Sequence, residues 1–399
     1  MKRTRLFVFL LVLLPMAAWA QDVDWNETEQ AAMEKSETEK SGDNQFFLWK
    51  GVLWVKTLID SMAIATVDRS YIEQPKRPWA VELRSSASQA TLKMESHWLY
   101  PDGTVGNFTS RSDNGFSTSV GAWLGYRGYG YGLSKELSKG EGTTHSFGAM
   151  GGSFGINLRL STYRSNNPEL SAAFTEDSEG WVDREQVDLD NPIRVRSLFI
   201  DGYYMFNGKH FSYAAAYDQS LIQRRSAGSL VAGAMYYHSR VAFDDDSNWP
   251  IVLLMQDVGK IKFTQANVGL GYAYNWVPAR GWLVSVQAMP MVTLYNKMYT
   301  YTYDVVDENG KNIIEAIMEG GEEYIDNIEI DKWQVVERES TTKTNRLSWN
   351  VDARLSLVYN WSRFYLRLYG HYNRFVYRND EGKGRLTDWT GYASLGFRF

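Results

Sequence analysis

The last nine residues of the chain, Gly391 to Phe399, alternate strictly between two kinds of side chain. The odd positions hold Gly, Ala, Leu, Phe and Phe, and the even positions hold Tyr, Ser, Gly and Arg. In a β-strand this period of two places an apolar face opposite a polar face. Because the apolar stripe continues to the final residue, the segment is typical of the closing strand of a membrane-spanning β-barrel. The terminal Phe399 resembles the signal that the barrel-assembly machinery recognises.

The start of the chain predicts secretion. Three basic residues among the first five precede an apolar run from Leu6 to Leu14, and Ala18-Trp19-Ala20 fits a cleavage pattern, so residues 1–20 are predicted to be a signal peptide. The chain contains no Cys, which excludes disulfides, a lipoprotein anchor and Cys-based catalysis or metal binding. No later segment offers about 18 uncharged apolar residues, the length of a spanning helix. A chain that crosses lipid without such helices must form a closed barrel.

Three further regions follow the signal peptide. Residues 21–45 hold eight acids against two lysines and predict a disordered tail in the periplasm. Residues 46–78 are predicted to form a short amphipathic helix and a linker, because apolar residues between Leu48 and Met62 recur at steps of three and four. Residues 79–399 are predicted to form the barrel, which places the protein in the cell outer membrane and in contact with its lipid.

The segment from Asn345 to Trp361 shows the clearest strand pattern, with apolar residues on one face and polar residues on the other, Val358 excepted. We predict an all-β fold, a transmembrane antiparallel β-barrel of about 12 strands, within a range of about 10 to 14. The predicted strands lie near 79–99, 115–126, 128–137, 146–163, 194–206, 209–223, 229–243, 261–275, 282–303, 341–360, 364–377 and 388–399.

Loop lengths provide a second test, because periplasmic turns of such barrels are short and outer loops are long. Counted back from the C-terminus, this rule fails near the middle of the chain. Residues 164–193 would lie in the periplasm, and the short Asn207-Gly208 connection would lie outside. Either Gly151-Gly152 is a turn that splits one predicted strand, or the first segment is a hairpin.

Polar residues that are unusual for a membrane protein cluster on the inward faces of three consecutive predicted strands. These lumen candidates are Arg346, Asn350, Asp352, Arg354, Arg367, His371, Asn373 and Arg398. One interpretation is a structural network of paired charges that braces the wall. Another is a cationic strip that attracts anionic solutes. A catalytic role for His371 would require a Ser nucleophile in a recognisable motif, and the nearest His-Ser pair, His238 and Ser239, would point to opposite faces of a strand.

The middle of the chain resembles a known family. Tyr203 to Tyr213, Gln219 and Gln223 to Leu230 are similar to the family called domain of unknown function 4421, secreted proteins of Gram-negative bacteria, as are Asp68 to Ile72 and Gly271 to Asn275. The resemblance implies an outer-membrane barrel and carries over no catalytic residue. The family-like motif residues are Asn207, Phe211, Tyr213, Gln219, Gln223, Arg225, Ser226 and Gly228.

The motif also has a simple local interpretation. Asn207-Gly208 is predicted to be a hairpin turn, because both residues accept positive φ. Ser226 to Ser229 is predicted to be a tight turn of small residues. The alternative is a patch for partner recognition, built on Gln223, Arg224 and Arg225.

Three classes of function are compatible with this sequence. The first is a narrow channel or transporter for small solutes, the second is a non-enzymatic structural or assembly partner in an envelope or secretion complex, and the third is a lipid-modifying enzyme such as a hydrolase. We expect no enzyme activity, cofactor or metal site. The acidic loop from Asp304 to Glu339 lacks the ligand spacing of a calcium loop, and no basic patch suits nucleic acid.

Overall fold

The structure is a computed structural model that describes residues 67–99, 105–113, 117–138, 141–165, 169–175, 181–186, 191–254, 257–313, 315–316, 332–344, 348–379 and 382–399. All of these residues belong to one compact unit. The predicted signal peptide, acidic tail and amphipathic helix lie outside the described residues.

The fold is all-β, as the alternating sequence predicts. The described residues form two short α-helices, α1(Tyr213–Tyr217) and α2(Trp249–Leu254). They also form eighteen strands: β1(Ile72–Glu73), β2(Trp79–Leu99), β3(Val105–Asp113), β4(Ser117–Tyr126), β5(Tyr129–Glu136), β6(Glu141–Met150), β7(Phe154–Ser165), β8(Glu169–Thr175), β9(Trp181–Gln186), β10(Ile193–Met205), β11(Ile222–Gln223), β12(Ala227–Ala242), β13(Val258–Trp276), β14(Trp282–Val306), β15(Gln334–Thr344), β16(Trp349–Trp361), β17(Phe364–Asn379) and β18(Gly382–Arg398).

Twelve of these strands close into an antiparallel barrel. Each strand of the ring pairs with the next one along the chain, and the last strand, β18, pairs with the first, β2, from Arg398↔Ala80 to Gly382↔Ser96. The ring strands are β2, β4, β5, β6, β7, β10, β12, β13, β14, β16, β17 and β18. Closure gives every ring strand a hydrogen-bonded neighbour on both sides. A sheet in lipid requires this, because unpaired backbone N–H and C=O groups are costly in hydrocarbon. The predicted barrel of about 12 strands is therefore confirmed.

The two faces of the barrel have opposite polarity. The outward face exposes large apolar side chains, with Leu83, Leu270 and Leu294 each between 68% and 69% exposed. The inward face buries polar groups, including Gln265 and Asp352 at 0% exposure. A soluble protein has the reverse arrangement, so this pattern is that of a barrel whose outer surface contacts lipid.

An aromatic belt follows half of the rim at the end of the barrel where residue 399 lies. Its side chains contact one another across six strands, from β14 to β4. Successive ring centroids in the belt are 4.6–6.4 Å apart, and the belt is the series Trp282, Tyr359, Trp361, Phe364, Phe397, Phe399, Trp79 and Tyr126. Rings of this kind mark the boundary of the bilayer. Phe399 donates its backbone N–H to the Trp79 carbonyl at 3.0 Å, so the last residue seals the closing seam.

The connections divide the barrel into a short-turn end and a long-loop end. Turns at 127–128, 151–153, 277–281 and 362–363 lie at the same end as the aromatic belt, which we call the short-turn end. Gly151-Gly152 is the turn between β6 and β7, so one of the two explanations for the loop-length conflict is confirmed. With this extra turn, the described parts of residues 164–193 fall at the long-loop end.

One predicted strand is wrong. Residues 209–223 do not cross the barrel but form part of an internal segment that contains α1. The reason is that Tyr213-Ala214-Ala215-Ala216-Tyr217 packs inside the lumen, where all five side chains are buried. The predicted total of twelve is still correct, because two errors cancel. The predicted strand 146–163 is two strands joined by the turn at Gly151-Gly152, and the predicted strand 209–223 is not a strand.

At the long-loop end the sheet extends beyond the ring. β3, β8 and β9 continue the sheet from β2, and β15 pairs with β14. A separate apolar cluster, which includes Trp249, Tyr303 and Trp333, packs the loop containing α2 against β14 and β15. Within the described ranges, no helix is long and apolar enough to cross a bilayer.

Candidate functional site: the plugged lumen

The connector between β10 and β12 turns back into the barrel. We call residues 206–226 the plug. Ser212 caps its helix α1 by accepting a hydrogen bond from the Ala215 backbone N–H at 3.1 Å. The helix lies directly on the wall, since a Cβ added to Gly155 of β7 would be 2.5 Å from the Tyr213 ring. Three consecutive alanines keep the helix narrow enough to fit beside the inward-facing side chains.

An apolar core surrounds the plug. Phe211 and Tyr213 of the plug are fully buried against inward-facing residues of the wall. The wall contributes, among others, Met205, Val231, Met289, Met291, Leu283 and Val358. Val358, the one residue that departs from the apolar and polar alternation of its strand, thus faces inward to pack against this core. Around the plug the lumen resembles the interior of a soluble protein rather than a water-filled pore.

Arg354 of β16 joins the plug to two walls. Its guanidinium lies 3.0 Å from Asp201 of β10 and 3.2 Å from Asp352 of its own strand. It also donates to the hydroxyl of Tyr213 in the plug at 2.7 Å and to the hydroxyl of Tyr203. The Arg354 side chain is only 3% exposed. A buried guanidinium between two carboxylates and two hydroxyls has its donors satisfied and cross-links the lumen.

Arg367 of β17 forms a second node. Its guanidinium lies 2.7 Å from the Glu82 carboxylate of β2, and it donates to the Tyr217 carbonyl at the end of α1. Glu82 also accepts hydrogen bonds from Arg84 and from the Tyr365 hydroxyl, each at 2.7 Å. A cation at the C-terminus of a helix satisfies carbonyls that have no partner within the helix.

Arg398 of β18 forms a third node with the plug. It donates to the carbonyl of Gln219 at 3.2 Å and to the side chain of Asn360 at 2.8 Å. Nearby, Ser356 donates to the carbonyl of Ala216 at 2.7 Å. Three of the four arginines of the predicted cationic strip, Arg354, Arg367 and Arg398, thus contact the plug, and all three are buried.

Above the plug, opposite walls touch. Phe199 of β10 and His371 of β17 have ring centroids 6.2 Å apart, although their strands are five steps apart in a ring of twelve. The Arg159 guanidinium lies over the Phe199 ring at 4.5 Å. Asn373 bonds to the Nε2 atom of His371 at 2.6 Å. These contacts bridge the lumen at a second level.

A polar layer packs beside this bridge. Asn350 donates to Asn267 at 2.6 Å and to Thr293 at 3.0 Å, and Ser348 donates to Thr293 at 2.8 Å. The structure thus places seven of the eight lumen candidates inside the barrel, each buried. Arg346 lies outside the described residues. Whether any of the seven binds a solute stays a prediction.

The family-like motif coincides with the plug in the chain. All eight motif residues lie in the plug or at its return into β12. Asn207 donates its side-chain N–H to the Gly228 carbonyl at 2.8 Å and its backbone N–H to Ser229 Oγ at 3.0 Å, which ties the entry of the plug to its exit. Gln223 accepts from the Ser212 N–H at 2.9 Å and donates to the Arg225 carbonyl at 2.9 Å.

Both turn predictions for the motif are wrong. Asn207 and Gly208 have no positive φ and form no hairpin. Gly208 is needed for a close approach instead, because a Cβ there would lie 1.9 Å from Ser153 Oγ. Ser226 precedes β12 directly and accepts a hydrogen bond from the Val277 N–H at 2.9 Å, so no tight turn follows it.

A second family-like segment, Asp68 to Ile72, covers the plug at the short-turn end. β1 pairs with β11 of the plug, and the Asp68 N–H donates to the Lys209 carbonyl at 2.9 Å.

Hydrogen bonds from Ser70 hold the pKa of Asp68 below its usual value. Within the plug, burial raises the pKa of Asp218 to about 6, while bonds from Ser220 oppose the shift.

Sequence reasoning missed several lumen residues, including Glu82, Asp201 and Trp123. The Trp123 ring packs against glycines of the neighbouring strands, since a Cβ at Gly130 would lie 2.1 Å from the ring. The Arg84 guanidinium lies over the same ring, 4.1 Å from its centroid. A signal was available: Glu82 alternates with outward Val81 and Leu83, and glycines alternate in the strand next to Trp123.

The nearest His-Ser pair in the sequence is not arranged as a base and a nucleophile. His238 bonds to Thr264 at 2.9 Å rather than to Ser239, which lies on the opposite face of β12. Among the described residues, no group of three or more His, Asp or Glu side chains is placed to hold a metal ion.

Solved structures with a similar fold are outer-membrane proteins, at low similarity. The β-domain of the Bordetella autotransporter Brka is 10% identical, covering 79% of this chain and 100% of that chain, with a TM-score of 0.28. The translocator domain of autotransporter NalP from Neisseria meningitidis is 9% identical over 82% and 90%, with a TM-score of 0.30. The toluene transporter TodX of P. putida is 8% identical over 82% and 91%, with a TM-score of 0.28. At these scores we transfer no function from them.

Comparison of the sequence with known protein families identifies the family of this chain. No curated protein matches the chain. The model of the family described as Domain of unknown function (DUF4421) matches residues 66–399, the whole of the barrel together with the segment that covers the plug. The chain therefore belongs to the DUF4421 family.

Proposed function

We propose that this protein is an outer-membrane barrel whose lumen stays closed and that it acts as a non-enzymatic structural or assembly partner in the cell envelope. The observation that carries the proposal is the filled lumen. The plug is packed into one level, and the contact between Phe199 and His371 bridges the next.

Removal of the plug would be costly. Phe211, Met205 and Met289 would become exposed to water, and burial of such side chains contributes about 1.5–3 kcal/mol each. Arg354 and Arg367 would also lose hydrogen bonds to the plug, and a hydrogen bond to a charged group contributes about 1.5–3 kcal/mol. The closed state is therefore strongly favoured without a ligand that replaces these contacts.

Conductance tests the proposal. Purified protein in planar bilayers should give no steady open-channel current, and intact cells should show the protein in native complexes with other envelope proteins. A stable unitary conductance of the unmodified barrel would contradict the closed-lumen proposal. As a control for insertion, the same preparation should show heat-dependent gel mobility, which reports a folded barrel.

A second candidate is gated transport of an anionic solute. The observation that favours it is that three buried arginines, Arg354, Arg367 and Arg398, attach the plug to the wall. An anion could replace the plug as a partner of these guanidinium groups. Transport would then require movement of the plug.

The chain has no Cys, so a cross-link between plug and wall can be introduced cleanly. Ala216→Cys with Ser356→Cys places one thiol on α1 and one on β16, where the two residues are already joined by a hydrogen bond. If the plug moves during transport, uptake should stop after oxidation or short-range cross-linking and recover on cleavage. Uptake that is unaffected by the cross-link would exclude a moving plug.

A further inference from the structure

Three short turns of the barrel each carry one arginine next to the aromatic belt. These turn arginines, each with a neighbouring aromatic residue in parentheses, are Arg127 (Tyr126), Arg280 (Trp282) and Arg363 (Phe364). The three turns lie between β4 and β5, between β13 and β14, and between β16 and β17. The turn arginines thus lie one step beyond the level of the belt, on the side away from the middle of the barrel.

The turn arginines are available for binding. All three are exposed, and within the described residues none lies within salt-bridge distance of a carboxylate. The Arg127 guanidinium lies 5.4 Å from the centre of the Tyr126 ring. This contact keeps one turn arginine beside an exposed belt residue and leaves its donors accessible. The lumen arginines differ in this respect, because their donors are engaged by carboxylates, hydroxyls and carbonyls.

The backbone at Arg127 adds an independent observation. Arg127 adopts φ 49°, in the left-handed region, and Gly128 follows at φ 91°. Gly or Asn would occupy the first position of this turn at lower conformational cost than Arg. The turn itself therefore does not explain the arginine, whose described side-chain contact is with the belt.

The whole short-turn end is basic. Its turns, the plug and the segment 67–78 contain nine exposed Arg and Lys residues and three side-chain carboxylates, Asp68, Glu73 and Asp218. The exposed cations are Arg69, Lys76, Arg77, Arg127, Lys209, Arg224, Arg225, Arg280 and Arg363. Such a surface attracts anions, and it includes the three turn arginines.

We propose that the turn arginines bind the phosphate groups of anionic phospholipids in the leaflet around the short-turn end. Aromatic belts lie at the level of the headgroups, so cations one step beyond the belt meet the phosphates. The guanidinium fork suits two phosphate oxygens, and the aliphatic stem can lie along apolar surface. The proposal rests on the barrel spanning a bilayer and is independent of whether the lumen opens.

Because the chain contains no Cys, a single introduced Cys can be labelled specifically to test this proposal. Ala279→Cys, at an exposed position beside Arg280, can carry a fluorophore. The labelled full-length protein is reconstituted into phosphatidylcholine vesicles that contain a small fraction of nitroxide-labelled phosphatidylglycerol or, in a parallel sample, the same fraction of phosphatidylcholine with the same nitroxide. We expect stronger quenching by phosphatidylglycerol, with a local enrichment on the order of fivefold.

Two matched variants give the test its specificity. The triple variant Arg127→Gln, Arg280→Gln, Arg363→Gln should quench equally with both lipids. The triple variant Lys209→Gln, Arg224→Gln, Arg225→Gln removes the same charge away from the belt and should keep the preference. Heat-dependent gel mobility confirms that each variant is folded, and single turn-arginine variants serve if a triple variant does not fold.

Several results would overturn the proposal. The first is equal quenching by the two lipids when all arginines are present. The second is an unchanged preference in the turn-arginine variant. The third is an equal loss of preference in both triple variants, which would attribute lipid enrichment to the net charge of the end instead of to the turn arginines.

Discussion

The guanidinium of Arg354 on β16 lies 3.0 Å from the carboxylate of Asp201 on β10, which joins two strands four steps apart in the ring. Both side chains are almost completely buried, at 3% and 2% exposure. The same guanidinium binds Asp352 and the Tyr213 hydroxyl of the plug. One residue therefore links the two walls and the plug.

Replacement of this guanidinium should be strongly destabilising. Arg354→Met leaves Asp201 and Asp352 buried without their cation, so we expect a loss of about 3–5 kcal/mol in the free energy of unfolding. The measurement is a reversible denaturant titration of the folded barrel in lipid or detergent. Adding Asp201→Asn and Asp352→Asn should recover part of the loss, since the buried charges are then gone. A loss below about 1 kcal/mol would mean that water screens this site.

The neighbouring residue tests the lipid face. Leu355 is 55% exposed on the outer surface, so Leu355→Arg should cost about 2–4 kcal/mol by placing a charge in hydrocarbon. A wet lumen would have made loss of Arg354 milder than this change. The buried network predicts instead that the two costs are comparable or that Arg354 costs more. Leu355→Ala is the control for lost apolar area, and a small effect of Leu355→Arg would contradict the face assignment.

A glycine on the wall tests how the plug is seated. A Cβ at Gly155 would lie 2.5 Å from the Tyr213 ring, so Gly155→Ala should displace the plug and destabilise the barrel by about 1–3 kcal/mol. Gly370→Ala is a matched control, because a Cβ there meets no atom within 4 Å. Unfolding and protease sensitivity of the plug are the measurements. Equal behaviour of the two variants would argue against a tightly seated plug.

Asp218 should make stability depend on pH. Its pKa in the folded chain is raised to about 6 from the ordinary value of 3.8, because it is buried. As pH rises through about 4 the unfolded chain releases this proton first, so the contribution is most favourable below pH 4, declines up to about pH 6 and is constant above. The full change is up to about 3 kcal/mol. Asp218→Asn preserves an acceptor for Ser220 and should flatten the difference between pH 4 and pH 6 in denaturant titrations. An identical pH profile of the variant would refute the prediction.

Cell fractionation tests the location. The mature protein should sediment with the outer membrane and migrate faster on gels before heating than after. Deletion of residues 21–44 should leave this behaviour unchanged, because the acidic tail has too few apolar residues to contribute to a core. Recovery in the soluble periplasmic fraction without detergent would contradict the membrane assignment.

The sequence alone was sufficient to predict the barrel and its two faces. Alternation with a period of two is a local property, so the outward Leu355 and the inward Arg354 can be assigned from their positions in the strand. The terminal run to Phe399 likewise predicts a closing strand. The family-like motif around Asn207 and Gln223 can also be identified in the sequence, but its residue types predict a hairpin turn at Asn207-Gly208 and a tight turn at Ser226 to Ser229, and neither is present.

Only the tertiary structure decided what the lumen contains. The segment 209–223 contains a Ser N-cap and three alanines, which favour only a short helix, and its place in the lumen depends on residues distant in the chain, such as Arg354, Arg367 and Ser356, that bind its hydroxyl and carbonyl groups. The pairing of Phe199 with His371 is also set by closure of the ring. Local periodicity determines which face a side chain occupies, whereas its partner across a barrel depends on strand order and register, which bring together residues that no sequence spacing connects.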